Sequence, residues 1–406
     1  MTECVCLAAY TLALILIMTR EEVLNIDSGT KNLLLQLPTG FGKSKIALDI
    51  LNSKGINDEI LIVVPRVILK DTWTEELKKW GYQDFKVTMT TYKSFPTLNG
   101  HYKAVIFDEC HHLSKRCRAA VHNFSFDNVL LLSATVTPRQ EDYLKGLFAE
   151  LVCHKISARE AIDDGILPDP KVYLIPLRLN QTVADQVIIK NPDKPNEVTV
   201  RYRYRWNHYK QKKYRVKILC TEGEYLAELN NKVAYFKKLY HKRSTKYMKQ
   251  VWLKAAKERL QWLSVRKNAT VLQLLKILKD RRTITFCGSI EQTEALGKYC
   301  VNSKAKKESK KNLDNFNEGK IKHITACDML NEGANLTKCQ IGIYSMLNSS
   351  EIMMVQKLGR LLRHPKPVVI IPYFQNTREE EIVQEMLVNY NPDLIEVVEN
   401  INNFKL

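Results

Sequence analysis

Residues 33–53 read LLLQLPTGFGKSKIALDILNS, and this stretch decides the fold of the first half of the chain. Residues 33–37 are a short apolar run typical of a buried strand, and residues 43–53 have the spacing of a helix. The loop between them, residues 38–44 (PTGFGKS), contains two glycines that let backbone N–H groups turn toward one point. Such N–H groups at a helix N-terminus bind phosphate. The stretch therefore predicts a strand, a phosphate-binding loop and a helix in succession.

The same loop predicts a nucleotide site with ATP and Mg²⁺ as its cofactors. Lys43 is placed to reach the β- and γ-phosphates, and the Ser44 hydroxyl to hold Mg²⁺. The strict phosphate-loop pattern has glycine at position 37, where this chain has Leu37. A strand–turn–helix with chance glycines is the alternative. The predicted nucleotide-binding residues are Thr39, Gly40, Gly42, Lys43 and Ser44.

Short apolar runs alternate with helical stretches on both sides of residues 158–267, which favours an α/β fold with two parallel sheets. The predicted strands of the first half are residues 33–37, 60–64, 87–90, 104–107 and 129–132. Those of the second half are residues 283–286, 321–325, 341–344 and 368–371. The predicted helices are residues 43–53, 70–80, 138–148, 292–301, 351–362 and 379–389, with a further helix at 222–267 in the segment between the two halves. The basic run 304–311 is interpreted as a solvated loop.

Charge is concentrated in one part of the chain. The formal net charge is +18, and residues 196–280 contain 22 Lys or Arg against 6 Asp or Glu. This balance favours a polyanionic partner. Within it, residues 201–217 interleave aromatics with eight basic residues and no acid, so basic side chains could neutralise phosphates while aromatic rings stack on bases. The predicted nucleic-acid contacts here are Arg201, Arg203, Arg205 and Trp206; an edge strand or hairpin with a solvated basic face is the alternative.

Two further segments carry chemistry. Asp108 and Glu109 follow the apolar run 104–107, where a carboxylate can hold Mg²⁺ and its neighbour can orient an attacking water. Residues 356–363 (QKLGRLLR) place Arg360 and Arg363 three residues apart, on one helix face, where guanidinium groups can offset charge on a departing γ-phosphoryl group. The predicted catalytic residues are Asp108, Glu109, Gln356, Arg360 and Arg363, with Ser44 and Asp108 as the Mg²⁺ ligands.

Taken in order, residues 38–44, 108–111 (DECH), 133–135 (SAT), 325–336 and 356–363 resemble motifs I, II, III, V and VI of superfamily 2 helicases. The resemblance spans roughly residues 31–375 and implies two RecA-like domains with a basic, partly helical insertion between them. It also implies contact with the nucleic-acid backbone by Arg66, Thr91 and Lys93. By the same resemblance, the residues that couple the ATP state to domain closure are His111, Ser133, Thr135, Glu332 and Gly333.

The predicted function is an ATP-dependent DNA helicase or translocase. DNA is favoured over RNA because motif II reads DECH and residues 158–168 are similar to the linker of phage repair helicases and restriction-type motors. A motor subunit of a restriction or repair complex, an RNA helicase and a non-catalytic nucleic-acid-binding protein remain as alternatives. We expect single-stranded, duplex or forked DNA as partner, no membrane, and a cytoplasmic location, that of the host if a phage encodes the chain.

The predicted division is an apolar extension (1–17), a first domain (18–157), a linker with the basic insertion (158–267) and a second domain (268–406). Residues 5–18 form an apolar run that is either a helix packed on the first domain, an artefact preceding a true start at Met18, or an anchor. The ten cysteines include no CxxC pair, so the sequence predicts no zinc or iron–sulfur site.

Overall fold

The computed structural model describes residues 30–184, 201–327, 336, 339–348, 364–388 and 390–406, and for residues 201–207 and 212–218 it describes the backbone alone. Two parallel sheets dominate this part of the chain, which confirms the predicted α/β class with two RecA-like domains. The apolar run at residues 5–18 and the helix predicted at 351–362 lie outside the described residues. No described helix combines the length and apolar character needed to cross a membrane.

The first sheet has six strands in the order β3-β2-β4-β5-β1-β6, and every neighbouring pair is parallel. The strands are β1 (Asn32–Gln36), β2 (Ile60–Val64), β3 (Val87–Thr91), β4 (Gly100–Asp108), β5 (Phe124–Ser133) and β6 (Val152–Lys155). The helices of this half are α1 (Lys43–Ser53), α2 (Ile68–Lys79), α3 (Lys115–Val121), α4 (Pro138–Leu147) and α5 (Ala158–Asp163). Short 3-10 helices occupy Phe95–Thr97 and Cys110–His112.

Helices cover both faces of this sheet, which explains why its central strands are apolar throughout. All five residues of β2 are buried. Successive side chains of a strand point to opposite faces. Accordingly Ile60, Ile62 and Val64 belong to one hydrophobic cluster, whereas Leu61 and Val63 belong to another. A strand buried on both faces reads as a continuous apolar run, which is the pattern that predicted it.

The second sheet has seven strands in the order β11-β12-β10-β13-β14-β7-β15, again all parallel. The strands are β7 (Lys171–Leu177), β10 (Thr283–Phe286), β11 (Cys300–Val301), β12 (His323–Ala326), β13 (Ile341–Tyr344), β14 (Val368–Phe374) and β15 (Ile395–Val397). The helices are α8 (Asn268–Ile277), α9 (Ile290–Leu296), α10 (Lys306–Asn317) and α11 (Arg378–Leu387). Short 3-10 helices occupy Pro392–Leu394 and Ile401–Asn403.

The segment 158–267, expected to be a linker with an insertion, contributes to both cores. Ala161 and Leu167, in and after α5, belong to a hydrophobic cluster of the first sheet. Strand β7 pairs with β14 and β15 inside the second sheet. An antiparallel hairpin of β8 (Arg201–Asn207) and β9 (Lys212–Ile218) follows, and then the helices α6 (Glu222–Arg243) and α7 (Lys246–Arg266).

Three local expectations differ from the structure. The helix expected over residues 222–267 is two helices, because Ser244 adopts a left-handed backbone (φ 48°) and Thr245 caps α7. The helix expected over 292–301 ends at Leu296, and Gly297 then leads into β11. Residues 304–311, interpreted as a solvated loop, form much of α10.

Candidate functional site: the carboxyl edge of the first sheet

The predicted phosphate-binding loop connects β1 to α1 and has the backbone that its glycines predict. Gly40 and Gly42 have φ angles of 96° and 94°, in the left-handed region that strains residues with a side chain. A Cβ on Gly42 would meet no atom within 4 Å, so backbone conformation rather than crowding requires the glycine. Gly42 is the N-cap of α1 and provides no side-chain cap, which leaves first-turn N–H groups for an anion.

Lys43 is folded back over this loop. Its ammonium group donates a hydrogen bond to the carbonyl oxygen of Leu37 at 3.1 Å. The Thr39 hydroxyl oxygen is buried and has no hydrogen-bond partner among the described residues. Buried polar atoms are nearly always paired, so this oxygen is suited to a ligand group in the loop.

The predicted Mg²⁺ ligand Asp108 is the last residue of β4, in the centre of the sheet. Its Oδ2 accepts a hydrogen bond from the indole Nε1 of Trp73 at 3.0 Å. Burial raises the pKa of Asp108 from 3.8 to about 6, and the Glu109 carboxylate adds to this effect. Lys43 and the bond from Trp73 act in the opposite direction. A cation bound at this carboxylate would relieve the cost of its charge.

Glu109 has a left-handed backbone (φ 51°), which is uncommon for a residue with a side chain and occurs mostly where function or a turn requires it. Its Oε2 atom is buried and no described residue hydrogen-bonds to it; His111 Nδ1 lies 3.4 Å away. The carboxylate thus retains an acceptor for a water. Within the described residues no group of three His, Cys, Asp or Glu could hold a metal ion.

His111 connects this carboxylate edge to the end of β5. Its Nδ1 lies 3.0 Å from the hydroxyl of Ser133, which is fully buried. The Ser133 hydroxyl in turn donates to the carbonyl of Thr135 at 2.9 Å and accepts from the Thr135 N–H at 3.3 Å. Ser133 is thus part of a hydrogen-bonded turn and also of a link to His111. The Thr135 hydroxyl oxygen is buried without a described partner.

Sequence reasoning missed two residues that contact Asp108. One is Trp73 of α2, which is 2% exposed. The other is Tyr92, whose hydroxyl donates to the carbonyl oxygen of Asp108 at 2.9 Å. Tyr92 directly follows β3, so it joins the end of that strand to the carboxylate edge. The only available signal was that a Trp and a Tyr with apolar neighbours need a buried hydrogen-bond partner.

The expected nucleic-acid contacts of the first domain lie at the same edge. Arg66 follows β2 and Lys93 follows β3, and both side chains are exposed. Thr91 is 8% exposed, and its hydroxyl accepts a hydrogen bond from the N–H of Ser94 at 3.3 Å. The nucleic-acid role of these three residues stays a prediction.

The remaining site residues fall elsewhere. Gln356, Arg360, Arg363, Glu332 and Gly333 lie outside the described residues. Arg201, Arg203, Arg205 and Trp206 occupy β8, whose backbone pairs in register with β9. The structure therefore brings together the residues predicted after β1, β4 and β5, which are neighbours in the sheet order β4-β5-β1. Ligands of open α/β sheets bind at this carboxyl edge.

Two family matches follow the order of the two sheets. Residues 16–139 match the family described as the res subunit of type III restriction enzymes. Residues 266–365 match the helicase conserved C-terminal domain, and the two matches together cover just over half of the chain. No curated protein sequence matches the chain significantly.

Several solved structures share this fold. The Hef helicase domain of Pyrococcus furiosus superposes with a TM-score of 0.50 at 15% identity, over 90% of this chain and 97% of that one. Dbp5 of S. cerevisiae bound to RNA and ADP BeF3 gives 0.59 at 11% identity, over 93% and 87%. A fragment of a putative HsdR subunit of a type I restriction enzyme from Vibrio vulnificus YJ016 gives 0.53 at 17% identity, over 96% and 68%. At these identities the likeness concerns the fold, whereas the family matches concern this sequence. The chain belongs to the superfamily 2 helicases, which are nucleic-acid-dependent ATPase motors.

Proposed function

We propose that this chain hydrolyses ATP to move along or unwind DNA. The observation that carries the proposal is the convergence of Lys43, Asp108 and Glu109 at the carboxyl ends of β1 and β4. Buried polar atoms around them have no hydrogen-bond partner among the described residues. DNA is favoured over RNA by the DECH form of residues 108–111 and by the match of residues 16–139 to a restriction-enzyme family.

Each residue of the edge has a part in this chemistry. The N–H groups at Gly40 and Gly42 and the ammonium group of Lys43 would bind the phosphates, while Ser44 and Asp108 would hold Mg²⁺. ATP with its Mg²⁺ supplies the γ-phosphoryl group that is transferred to water. The Oε2 atom of Glu109, to which no described residue hydrogen-bonds, is suited to orient that water and accept its proton.

Hydrogen bonds lead from this edge toward the expected nucleic-acid contacts. Tyr92 bonds to Asp108, and its own N–H donates to the carbonyl of Val64, the residue that ends β2. His111 reaches the turn after β5 through Ser133. A movement of Asp108 or Glu109 would therefore be transmitted through these hydrogen bonds to Tyr92, after β3, and to the turn after β5. Arg363, with Arg360 beside it, is the proposed source of a guanidinium group for the departing phosphoryl charge.

The first test is steady-state ATP turnover without nucleic acid and with single-stranded, duplex or forked DNA, or RNA. We expect stimulation by DNA and a loss of about 10²-fold or more in Lys43→Ala, because a preorganised charge on the phosphates is removed. Lys45→Ala is the matched control: Lys45 is two residues further along α1 and pairs with Asp49 at 2.7 Å. Its removal should leave turnover within about twofold, since its ammonium group donates to the Asp49 carboxylate of the same helix and not to the phosphate-binding loop.

The outcomes separate the candidate functions. Stimulation by RNA alone would replace the DNA proposal with an RNA helicase. Binding of DNA without turnover in the isolated chain would favour a subunit of a restriction-type motor, the candidate that the family match at residues 16–139 suggests. Equal turnover in Lys43→Ala and the intact chain would contradict the proposed site.

Trp73 offers a second prediction at the same site. We expect Trp73→Phe to raise the Mg²⁺ concentration needed for half-maximal turnover and to lower kcat/KM by about tenfold. The reason is that a hydrogen bond to a charged group contributes about 1.5–3 kcal/mol, and Phe lacks the N–H donor. Trp80→Phe is the control, because Trp80 directly follows the same helix and its Nε1 donates to a partly exposed carboxylate, that of Glu76 at 2.6 Å. Equal Mg²⁺ dependence in the two variants would show that Trp73 only fills space.

A further inference from the structure

The distal half of the α6–α7 helical hairpin is exceptionally basic. From residue 232 to residue 257 the chain contains nine Lys or Arg and no Asp or Glu. All nine side chains are exposed. They are Lys232, Lys237, Lys238, Lys242, Arg243, Lys246, Lys249, Lys254 and Lys257. The charge is therefore concentrated at the end of the hairpin where α6 turns into α7.

The opposite end of the hairpin is fixed to the second sheet. Leu226 and Leu229 of α6 and Trp262 and Leu263 of α7 pack with Phe374 of β14 in one hydrophobic cluster. An ion pair also joins the first residue of α6 to the last residue of α7 at 3.4 Å. Each helix is about 33 Å long at a rise of 1.5 Å per residue. The hairpin thus holds its basic end at a distance from the core that anchors it.

Little within the described chain offsets this charge. The acids of α6, including Glu222 and Glu224, lie near its anchored end. Lys232 pairs with Glu258 at 2.6 Å, and no ion pair with a described residue joins the other eight basic side chains. Like charges held this close repel one another, which a polyanion bound across them would relieve.

Aromatic residues accompany the charge. The rings of Tyr240 and Trp252 stack across the two helices at a centroid distance of 5.6 Å, which stiffens the basic end. The nearby Tyr235 and Tyr247 are 59% and 68% exposed. Exposed aromatic rings among cations are the composition of surfaces that bind nucleic-acid strands.

We propose that the distal half of the α6–α7 hairpin binds the phosphate backbone of nucleic acid, as a contact separate from the edge of the first sheet. The inference rests on the proposed function, since it gives the motor a second contact with the nucleic acid along which it moves. A membrane surface fits less well, because a helix lying in lipid needs a continuous exposed apolar face. Along α7 the large apolar side chains that are exposed are Tyr247 and Leu253 alone.

The test is equilibrium binding of a forked DNA to the full chain at several salt concentrations, without nucleotide. The variant replaces four residues at the turn: Lys242→Gln, Arg243→Gln, Lys246→Gln and Lys249→Gln. Each phosphate contact contributes about 0.9 to the slope of log affinity against log salt. We expect the slope to fall by about two to four and the affinity at 0.1 M salt to fall at least about tenfold.

The matched control replaces four exposed lysines of α10 with the same change of charge: Lys306→Gln, Lys307→Gln, Lys310→Gln and Lys311→Gln. An equal fall in both variants would overturn the proposal, because it would reflect net charge alone. So would an unchanged slope in the hairpin variant, or loss of binding to phosphatidylserine vesicles with binding to DNA retained. Binding is measured without hydrolysis, so a failure of the proposed hairpin contact does not affect the proposed motor function. The turnover of Lys43→Ala tests that function separately.

Discussion

Asp108→Asn is expected to lower ATP turnover severely while making the nucleotide-free protein more stable. A metal ion on the transferred phosphate contributes several kcal/mol to catalysis, and each 1.36 kcal/mol is tenfold in rate. Replacing its carboxylate ligand by an amide should therefore lower turnover on the order of 10³-fold. The amide oxygen can still accept the hydrogen bond that Trp73 donates at 3.0 Å, so the local packing is kept.

The gain in stability follows from the direction of the pKa shift. The pKa of Asp108 is raised from 3.8 to about 6, so between these values the folded state holds a proton that the unfolded state has released. Stability contributed by the neutral carboxyl is therefore lost as the pH rises from about 4 through 6. At pH 8 the ionised group destabilises the fold, and an asparagine does not. Because the side chain is partly exposed, we expect the free energy of unfolding to rise by about 1–2 kcal/mol, which is less than the free energy equivalent to the full pKa shift.

Thermal unfolding in chelator at pH 8, 7 and 5 checks this prediction. The stability of Asp108→Asn should exceed that of the unchanged chain at pH 8, and the difference should shrink as the pH falls through 6. Asp142→Asn, at an exposed position of α4, should show neither the gain nor the loss of turnover. Loss of turnover together with loss of stability at pH 8 would instead mean that Asp108 is a structural residue.

The opposing effects of this one residue illustrate how the edge of the sheet is built. Asp108 holds a charge that burial disfavours, Glu109 has a left-handed backbone, and the hydroxyls of Thr39 and Thr135 are buried without described partners. Each feature costs stability in the free protein. All of them lie at the ends of β1, β4 and β5, where a ligand that supplies cations and hydrogen-bond partners would recover the cost.

Much of this edge could be predicted because its signals are local. The strand β2 is apolar throughout because both of its faces are covered, and the loop before Lys43 needs glycines because its backbone is left-handed. Such requirements act on neighbouring residues, so they leave a pattern within a few positions. The order of the strands brings Lys43, Asp108 and Ser133 together. That proximity was predicted from the resemblance of the motifs to those of superfamily 2 helicases.

The features that escaped prediction depend on distant partners. Trp73 and Asp108 are 35 residues apart, and nothing in the sequence around either residue records their hydrogen bond. Strand β7 is a continuous apolar run that is buried on both faces, but its parallel pairing with β14 spans almost 200 residues. The break between α6 and α7 depends on Ser244, a residue whose left-handed backbone has no strong sequence signal.

A buried ion pair in the second half should have the largest effect on stability. Lys267, between α7 and α8, is fully buried, and its ammonium group lies 2.6 Å from Oε1 of Glu379. The other carboxylate oxygen accepts a hydrogen bond from the N–H of Phe374 at 3.1 Å. Lys267→Met removes the cation and leaves a buried carboxylate without compensation, which costs about 3–5 kcal/mol. Unfolding in urea should show this loss as a lower midpoint with an unchanged slope.

The chain contains its own matched control for this prediction. Lys232 pairs with Glu258 at the same 2.6 Å, but both side chains are 44% exposed. Lys232→Met should therefore cost less than about 1 kcal/mol, because solvent screens an exposed pair. The double variant Lys267→Met/Glu379→Gln should recover most of the loss, since the glutamine oxygen can still accept from Phe374 and no charge remains buried. Equal losses in Lys267→Met and Lys232→Met, or a double variant no more stable than Lys267→Met, would show that burial of the uncompensated charge is not the cause, and that Lys267 stabilises the end of α7 by packing alone.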